Sequence, residues 1–398
     1  MKVSDIKAYV IGDANMGSAT WASYGIVVKL ITSTGEVGYG EALPTLRPAV
    51  VNASIEQIGR LYVGKEVERI RQNYSEVVRH DFYLPMSVES VTALSSIDMA
   101  SWDVLGKELG APVSQLIGGK LRNYVPAYAN GWYAGCATPD DFSKKAEVAL
   151  SGSPYFALKF DPFGAAYDLI DDRSLSAAEM RVAAVAEVAS KRGSSIMIEH
   201  HGRFSATAAI SIAERLAKYS PLFMEEPVHP DDYEGLMKYR SRVNLPIALG
   251  ERILTPSQAL FFMKEHLVDV LQPDVCNVGG ITGAKEILDL ADAFGVTVSP
   301  HNAFGPIQNA AWLQLASTAR NLLALEEFYQ WYPDWKRRLI YDSTPIEDGK
   351  VRVPDGPGLG VKVNEGLLDE LKLEPRAVDV ADEPVWVVRG TWRDRDGL

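Results

Sequence analysis

The sequence predicts an α/β fold: a (β/α)8-type (modified TIM) barrel with an N-terminal α+β capping domain that the C-terminal tail completes. The first observation is a repeat. Short apolar runs that end in a polar residue recur about every 25 residues in the middle of the chain, with helix-like segments between them. Alternating strands and helices indicate a parallel sheet covered by helices, and a closed barrel is the economical arrangement at this spacing. The second observation is that the flanking regions lack the repeat.

Two changes of pattern divide the chain into three parts. Residues 1–120 contain strand-like segments with turn signals and one long helical segment that ends at Gly110, and they predict the capping domain. Residues 121–330 carry the repeat and predict the barrel. Residues 331–398 are marked by Pro and Gly and cannot form a core alone, so we expect them to pack back on the capping domain.

The composition is typical of an ordinary globular enzyme with an acidic surface. Of the 398 residues, 47% are hydrophobic and 23% are charged, and the formal net charge is −12. This charge argues against binding to nucleic acid or to an anionic membrane, although a bound cation would still attract an anionic substrate. Only two cysteines, no signal-peptide pattern and no membrane-spanning run predict a cytoplasmic protein.

Polar residues end nearly every predicted strand of the barrel. Because all strands of such a barrel point the same way, their carboxyl ends meet at one mouth, where barrel enzymes carry their active sites. An open sheet would instead spread these residues along one edge. The residues that a barrel would bring together are Lys159, Glu199, His201, Glu225, Glu251, Asp274, His301 and Glu326.

Three glutamates, Glu199, Glu225 and Glu251, follow consecutive strands and indicate a metal site. Carboxylate oxygens suit a hard cation in octahedral geometry, which favours Mg²⁺, whereas zinc would more often recruit His or Cys. Three buried carboxylates without a cation would repel one another. The alternative is that salt bridges neutralise them, and the basic partners would then be Lys159, Arg203 and Arg252.

A carboxylate and an imidazole, Asp274 and His301, follow neighbouring strands. Such a pair fixes the tautomer of the ring and raises the basicity of its other nitrogen, so His301 is a candidate general base. A cation and a base at one mouth suit removal of the proton next to a substrate carboxylate. Lys159 would then help the cation to hold the resulting enediolate.

A second imidazole, His201, lies two residues beyond Glu199, in a chain that has only 6 histidines. The period of two along a strand predicts that His201 points into the same cavity and that His200 points away from it. Glu199 would raise the pKa of His201 while a bound cation would lower it, and the sequence leaves open which effect dominates.

These motifs together resemble the mandelate racemase-like subgroup of the enolase superfamily over nearly the whole chain. The resemblance is carried by ALSSIDMASWDVLGKELGAPVSQLIGG, by the strand ends LKFD, IEHHG, MEEP, GER, QPD, PHNAFG and LEEF, and by PGLGVKVNE. The segments GSATWAS, PTLR, DFYL, EHHGRF and EPVWVVRGTW are similar to archaeal-type gluconate dehydratases. A metal-held enediolate and a His base are already known features of enolase-superfamily sites.

The resemblance implies a role for each group at the mouth. The Mg²⁺ ligands would be Glu199, Glu225 and Glu251. His301, oriented by Asp274, would be the general base, and His201 would be the general acid that protonates the departing hydroxyl. β-Elimination needs both, because hydroxide is a poor leaving group.

Other roles implied by the resemblance concern strands two and eight. Lys159 would stabilise the enediolate. Glu326 would hydrogen-bond a substrate carboxylate oxygen, which requires Glu326 to be protonated, and its neighbour Glu327 is the rival for this role. The subgroup often has a second basic Lys where this chain has Asp161, which argues against a racemase with bases on opposite faces. We expect Asp161 to contact a substrate hydroxyl.

Two loops of the capping domain are candidates for a lid over the barrel mouth. The segments MGSATWAS and PTLRP are rich in Gly, Pro, Ser and Thr. Thr20, Trp21 and Arg47 would contact the distal hydroxyls of an aldonate, and purely structural turns are the alternative.

The leading hypothesis is a Mg²⁺-dependent dehydratase that converts D-gluconate, or D-galactonate, to the 2-keto-3-deoxy acid. A dehydratase of a five-carbon aldonate such as D-xylonate or D-arabinonate is the first alternative. A racemase or epimerase with His201 and His301 as opposed bases is the second, and a non-catalytic barrel is the third. The expected partners are a small sugar acid and further copies of the chain, since the resemblance implies a homo-oligomer such as an octamer or a dimer.

Overall fold

The computed structural model describes residues 1–13, 24–44, 47–152, 155–341 and 345–376. A small antiparallel sheet with helices forms the N-terminal part, and a closed barrel of parallel strands forms the centre. The predicted fold class, a barrel with an N-terminal α+β capping domain, is therefore confirmed. No helix within these ranges is long and apolar enough to cross a membrane.

The capping domain is built on a three-stranded antiparallel sheet in the order β1-β2-β3. Its strands are β1 (Val3–Gly12), β2 (Tyr24–Thr32) and β3 (Val37–Ala42). Its helices are α1 (Pro48–Tyr62), α2 (Ile70–His80), α3 (Val88–Leu109) and the single turn α4 (Val113–Leu116). Helix α3 ends where the sequence predicts, because Gly110 adopts a left-handed conformation, with φ 64°, that a side chain would disfavour.

Two glycines allow α3 to lie directly against β3. A Cβ atom on Gly40 would stand 1.9 Å from the carbonyl oxygen of Ser96, and one on Gly38 would stand 2.0 Å from that of Ala100. Backbone contact this close leaves no room for a side chain. The sheet and the helix then enclose a fully buried aliphatic core, which includes Val28, Leu30, Ile97 and Val104.

Eight parallel strands close the barrel. They are β4 (Tyr124–Ala129), β5 (Ala157–Phe160), β6 (Ser195–Glu199), β7 (Met224–Glu225), β8 (Ile247–Leu249), β9 (Val270–Leu271), β10 (Thr297–Val298) and β11 (Leu325–Glu327). From β4 to β10 each strand pairs with the next, and β11 returns to pair with β4. A bridge from Val298 to Leu322 joins the β10 and β11 segments.

A helix follows each of the first seven barrel strands and covers the outside of the barrel. These helices are α5 (Pro139–Ala149), α6 (Asp172–Lys191), α7 (Ala206–Leu216), α8 (Tyr233–Arg240), α9 (Pro256–Lys264), α10 (Gly280–Ala293) and α11 (Pro306–Ala316). Short 3₁₀ turns occupy Ala217–Tyr219 and Tyr329–Trp331. After β11 the 3₁₀ turn and the single turn α12 (Asp334–Arg337) lead into the C-terminal segment.

The alternation of side chains along the strands separates two apolar layers. Leu158 and Ile198 point outward and pack with the helices, whereas Ala157, Met197 and Ala324 point inward and form the floor of the barrel. The next inward position along each strand lies nearer the mouth. This parity decides which polar side chains enter the barrel.

The C-terminal segment contacts both the barrel and the capping domain. A hairpin of β12 (Ile346–Glu347) and β13 (Lys350–Arg352) pairs antiparallel with the first half of β4. Beyond it, the Leu359 N–H donates to Asp103 on α3, and Gly12 of β1 donates to the Leu371 carbonyl after α13 (Glu365–Glu370). Contacts with the capping domain are present as the sequence predicts, but the pairing with β4 was not foreseen.

Replacement of Gly40 by Ala should destabilise the capping domain, because the new methyl group would overlap the Ser96 carbonyl. Overpacking at such a site costs about 1–3 kcal/mol, so the midpoint of urea unfolding should fall. Gly152→Ala is the control, because a Cβ there meets no atom within 4 Å. Equal midpoints for the two variants would mean that the contact between β3 and α3 is looser than described.

Candidate active site

The strand positions that point into the barrel bring a lysine and several carboxylates to its mouth. Lys159 follows Ala157, Glu199 follows Met197, and each lies two residues beyond an inward side chain of the floor. Glu225 bears the same relation to Phe223, and Glu326 to Ala324. All four side chains are almost fully buried. The fold therefore produces a concentration of charge that is shielded from water.

The Lys159 ammonium lies at the centre of these carboxylates. Its Nζ is 2.8 Å from both carboxylate oxygens of Glu225, 2.8 Å from Glu326 Oε1 and 3.5 Å from Glu199 Oε2. Burial lowers the pKa of Lys159, but the surrounding carboxylates outweigh burial and raise it, so the ammonium stays charged. Gln272 Nε2 adds a hydrogen bond of 2.8 Å to Glu225 Oε2.

The third predicted ligand, Glu251, lies just beyond the end of β8, at the edge of this cluster. Its Oε1 is 2.9 Å from Arg252 Nη1, and its Oε2 is 3.4 Å from His301 Nε2. Arg252 also pairs with the buried carboxylate of Glu226. Two of the three salt-bridge partners considered from the sequence, Lys159 and Arg252, therefore do contact the predicted metal ligands.

The charge balance of the mouth nevertheless fits a divalent cation. Five buried or half-buried carboxylates surround two cationic side chains; the carboxylates are Glu199, Glu225, Glu226, Glu251 and Glu326. Burial, and then the proximity of Glu199, raises the pKa of Glu225 to about 8, because a buried carboxylate beside another carboxylate is disfavoured in its charged form. As the side chains stand, no three His, Cys, Asp or Glu residues within the described ranges form a ready-made metal cluster.

Asp274 and His301 form a close pair. His301 Nδ1 lies 2.6 Å from Asp274 Oδ2, so the other ring nitrogen, Nε2, faces Glu251 and, at 3.9 Å, Glu326 Oε2. Burial lowers the pKa of His301, but Glu326, Asp274 and Glu251 outweigh burial and raise it to about 10. A cation held at Glu251 would oppose that rise.

His201 has a carboxylate partner of its own, which the sequence did not reveal. His201 Nδ1 lies 2.8 Å from Asp161 Oδ2, and Asp161 is held in place by two hydrogen bonds, of 2.9 and 2.7 Å, from Arg203 Nη2. Burial lowers the pKa of His201, but Glu199 and Asp161 outweigh it, so the pKa is raised above its usual value. The carboxylate of Asp161, which the sequence predicts to contact a substrate hydroxyl, contacts the His201 imidazole and the Arg203 guanidinium.

The route by which His201 reaches the site differs from the one predicted. Strand β6 ends at Glu199, and His201 lies in the following turn with φ 53°, so the period of two does not place it. Its backbone N–H donates to Glu199 Oε1 at 2.6 Å. His200 is fully buried against Phe163, and burial lowers its pKa to about 3, so it stays neutral.

Side chains alternate along β11, so Glu326, two residues beyond the inward Ala324, points into the barrel and Glu327 points away from it. Glu326 accepts hydrogen bonds from Asn130 Nδ2 at 2.7 Å and from the Asn302 N–H at 2.8 Å, whereas Glu327 accepts from the Tyr329 N–H. Burial raises the pKa of Glu326, but Lys159 and His301 outweigh burial and lower it to about 2. The protonated state expected from the sequence is thus disfavoured in this arrangement.

Of the three predicted lid residues, only Arg47 lies within the described part of the chain. Thr20 and Trp21 lie outside the described residues. Arg47 Nη2 lies 2.7 Å from Glu89 Oε1, a residue of α3 in the same domain.

Several polar contacts that support the site were not predicted from the sequence. Gln272, Asn130 and Asn302 hold glutamates of the mouth, and Arg203 holds Asp161. A signal was present for two of them: Gln272 precedes Asp274 by two residues, and Arg203 follows Glu199 by four in EHHGR. Inward parity applied to the motif QPD would have identified Gln272.

The arrangement can perform two proton transfers at one mouth. Two imidazoles are each tied through Nδ1 to a buried carboxylate, and both lie beside a cluster of carboxylates with excess negative charge. One imidazole can remove a proton and the other can deliver one.

Comparisons with known proteins agree with this geometry. Residues 12–118 match the family model "Mandelate racemase / muconate lactonizing enzyme, N-terminal domain", and residues 141–367 match "Enolase C-terminal domain-like". The D-gluconate dehydratase of Thermoproteus tenax is 50% identical over 94% of this chain and 75% of its own length. The D-gluconate/D-galactonate dehydratase of Picrophilus torridus is 38% identical over 98% of this chain and 99% of its own.

Solved structures show the same architecture. The mandelate racemase/muconate lactonizing enzyme from Sulfitobacter sp. is 29% identical, with a TM-score of 0.87 over 94% of this chain and 96% of that one. Enzymes of this family generally depend on a divalent metal. The two domain matches and the high identity to curated relatives lead to one conclusion: this chain is an enzyme of the enolase superfamily, in the mandelate racemase-like subgroup.

Proposed function

We propose that this enzyme is a Mg²⁺-dependent dehydratase of sugar acids that converts D-gluconate to 2-keto-3-deoxy-gluconate, with D-galactonate as a second substrate. The observation that carries the proposal is the pair of imidazoles, His201 and His301, each held through Nδ1 by its own buried carboxylate. β-Elimination of water needs a base and an acid at neighbouring carbons, and the site supplies both.

The names of the relatives support the substrate class. The proteins from Thermoproteus tenax and Picrophilus torridus are named for D-gluconate, and the second also for D-galactonate. A relative from Ralstonia pickettii, 31% identical over 93% of this chain, is named D-galactonate dehydratase.

The residues that would hold Mg²⁺ are Glu199, Glu225 and Glu251. When bound, the ion would lower the pKa of the C2–H of a chelated carboxylate substrate and stabilise the enediolate. The excess of buried carboxylates over cationic side chains supports a cation here, and Lys159, which contacts two of the three, marks where positive charge is favoured. Oxygen ligands favour Mg²⁺ over zinc.

His301 is the proposed base. Its Nε2 faces Glu251, one of the proposed metal ligands, while Asp274 fixes the Nδ1–H tautomer and stabilises the imidazolium that forms. The C2–H bond breaks, the proton moves to Nε2, and the electron pair enters the enediolate. Lys159 offsets the developing negative charge on the substrate carboxylate.

His201 is the proposed acid. Glu199 and Asp161 raise its pKa, which favours the imidazolium form that would donate a proton to the 3-hydroxyl as the C3–O bond breaks. Water leaves, and the enol that remains tautomerises to the 2-keto acid. Asp161 acts as a positioning residue, since its carboxylate contacts the His201 imidazole at Nδ1.

A screen of acid sugars with Mg²⁺, scored by 2-keto acid formation, tests the function. We expect D-gluconate to be turned over fastest and D-galactonate more slowly. Preference for D-xylonate or D-arabinonate would replace the substrate assignment with a five-carbon acid. Deuterium at C2 without any keto acid would identify an epimerase, and no turnover of any acid would overturn the proposal.

Two further expectations belong with this function. Assembly into a homo-oligomer, an octamer or a dimer, is to be measured by light scattering, and a monomeric enzyme at working concentration would contradict it. The cytoplasmic location stays a prediction that cell fractionation tests.

Replacement of His301 by Asn should remove both the elimination and the exchange of the C2 proton with solvent, each by about a thousandfold, because no other group would take that proton. The readouts are keto acid formation and deuterium uptake from heavy water by NMR. Retained exchange in this variant would show that another residue is the base.

Replacement of Asp161 by Asn should separate the two steps. The loss of the carboxylate that positions His201 should lower elimination by about a hundredfold, whereas C2 exchange, which depends on His301, should fall much less. Asp168→Asn is the matched control, because Asp168 forms a similar pair with His229, at 2.8 Å, outside the proposed chemistry. An equal loss of exchange and elimination in D161N would contradict the assignment of His201 as the acid.

Replacement of Glu225 by Gln should weaken Mg²⁺ binding at least about tenfold. Even the loss of a residue that only hydrogen-bonds to a metal ligand lowers metal affinity by about that factor. Calorimetric titration without substrate measures it. Glu327→Gln is the matched control. Glu327 is similarly buried but lies on the opposite face of β11, where its described hydrogen bond is with the Tyr329 N–H and not with Lys159. Equal affinities for both variants would mean that Glu225 is not a ligand.

A further inference from the structure

We propose that Glu41 of the capping domain is a positioning residue for the catalytic pair Asp274–His301, and that it acts through the first turn of α11. The inference rests on the proposed role of His301 as the base. It makes the capping domain part of the proton-transfer machinery in addition to a cover for the mouth.

Glu41 supplies the N-terminal cap that α11 lacks. The N-cap residue of this helix is Gly305, which has no side chain to accept a hydrogen bond. Glu41 Oε2 accepts instead, from the N–H groups of Ile307 at 3.1 Å and Gln308 at 2.9 Å. A carboxylate at this end is also favoured by the helix dipole. A Cβ on residue 305 would stand 1.8 Å from Glu41 Oε1, so glycine there is what admits the carboxylate.

The capped turn carries the side chain that holds the catalytic aspartate. Gln308 Nε2 donates to Asp274 Oδ1 at 2.8 Å, while Gln308 Oε1 accepts from the Phe304 N–H at 2.7 Å. Asp274 Oδ2 in turn bonds His301 Nδ1 at 2.6 Å. The Phe304 ring packs edge-on against His301, with centroids 5.2 Å apart. An uninterrupted series of hydrogen bonds thus leads from Glu41 to the imidazole.

A buried lysine from the C-terminal segment completes the junction. Lys336 is 1% exposed, and its Nζ donates to the Phe304 carbonyl at 2.8 Å, beside the same turn. Burial lowers the pKa of Lys336 to about 8, and Glu41 acts against that shift. Burial raises the pKa of Glu41 to about 7, although the Gln308 N–H and Lys336 act in the opposite direction. The capping domain, the barrel and the C-terminal segment therefore meet directly behind the pair.

The other barrel helices show that such a remote cap is not needed for helix formation alone. Helices α5 to α9 are each capped by the residue that precedes them; these caps are Thr138, Asp171, Ser205, Asp232 and Thr255. Only α10 and α11 of this set begin at a glycine without a side-chain cap. A local Ser or Thr would cap a helix at less cost than a buried carboxylate, which favours a role for Glu41 beyond capping.

Asp98 provides a matched comparison within the same molecule. It also lies in the capping domain, is buried, and accepts from the N–H and the hydroxyl of Thr282, in the first turn of α10, at 3.0 and 2.6 Å. Among the described residues, no hydrogen bond runs from that turn of α10 to Asp274 or His301. Asp98 therefore shares the capping chemistry of Glu41 and lacks its connection to the pair.

The test compares Glu41→Gln with Asp98→Asn in the full-length enzyme with Mg²⁺. Histidine labelled with ¹⁵N reports the tautomer of His301, whose signal is assigned by its loss in His301→Asn. We expect E41Q to shift or broaden that signal and to lower kcat for D-gluconate about tenfold, with KM changed less than about twofold. D98N should leave the His301 signal in place and kcat within about twofold.

A second variant, Gln308→Leu, cuts the connection and leaves the Glu41 cap intact. Q308L should show the same His301 signal and the same kcat as E41Q. The double variant E41Q/Q308L should have a kcat less than about twofold below that of either single variant. Independent, multiplicative losses would overturn the proposal, as would equal effects of E41Q and D98N. If E41Q does not fold, Q308L decides alone, because an unchanged His301 signal in it excludes the route. A wild-type enzyme without dehydratase activity would sink the proposed function, while the NMR comparison would still decide this inference.

Discussion

The site depends on one electrostatic constraint, the burial of more negative than positive charge at the mouth of the barrel. Strand parity directs Glu199, Glu225 and Glu326 inward above an apolar floor, where water cannot screen them. The Lys159 ammonium, within 3.5 Å of all three, offsets part of their repulsion. The negative charge that remains would favour a divalent cation at the mouth, and nearby carboxylates raise the pKa of both imidazoles. Attraction for a cation and affinity for protons would therefore follow from the same charge distribution.

The capping domain contacts the barrel through buried carboxylates that reach the N-terminal ends of two barrel helices. Glu41 meets α11 and Asp98 meets α10, the two helices that follow the strands leading to His301 and Asp274. Each contact replaces a cap that the helix could have carried itself. The interface between the domains is therefore polar at the points nearest the chemistry, and its hydrogen bonds have fixed directions that apolar packing would not provide.

The period of the strands was enough to predict the barrel and the convergence of its strand-end residues. It also predicted Asp274 beside His301, because adjacent strands bring their ends together. Counting by two from Ala324 would have chosen Glu326 over Glu327. The contact between His201 and Asp161 could not be predicted from spacing. His201 lies in a turn with positive φ, and turn geometry does not follow the strand period. The ionisation of Glu326 also depends on three-dimensional contacts with Lys159 and His301 that no spacing reports.

The hairpin of the C-terminal segment has a consequence for the integrity of the barrel. β11 pairs with β4 only over Ala127–Ala129, while β13 pairs with β4 over Tyr124–Pro126. The first strand is thus shared between two neighbours, and its lower half would present unpaired backbone groups if the segment were cleaved away. An uncovered strand of this kind is a template for joining another chain. Proteolysis after residue 341 would therefore expose an unpaired strand edge, and the cleaved protein would aggregate before it simply lost activity.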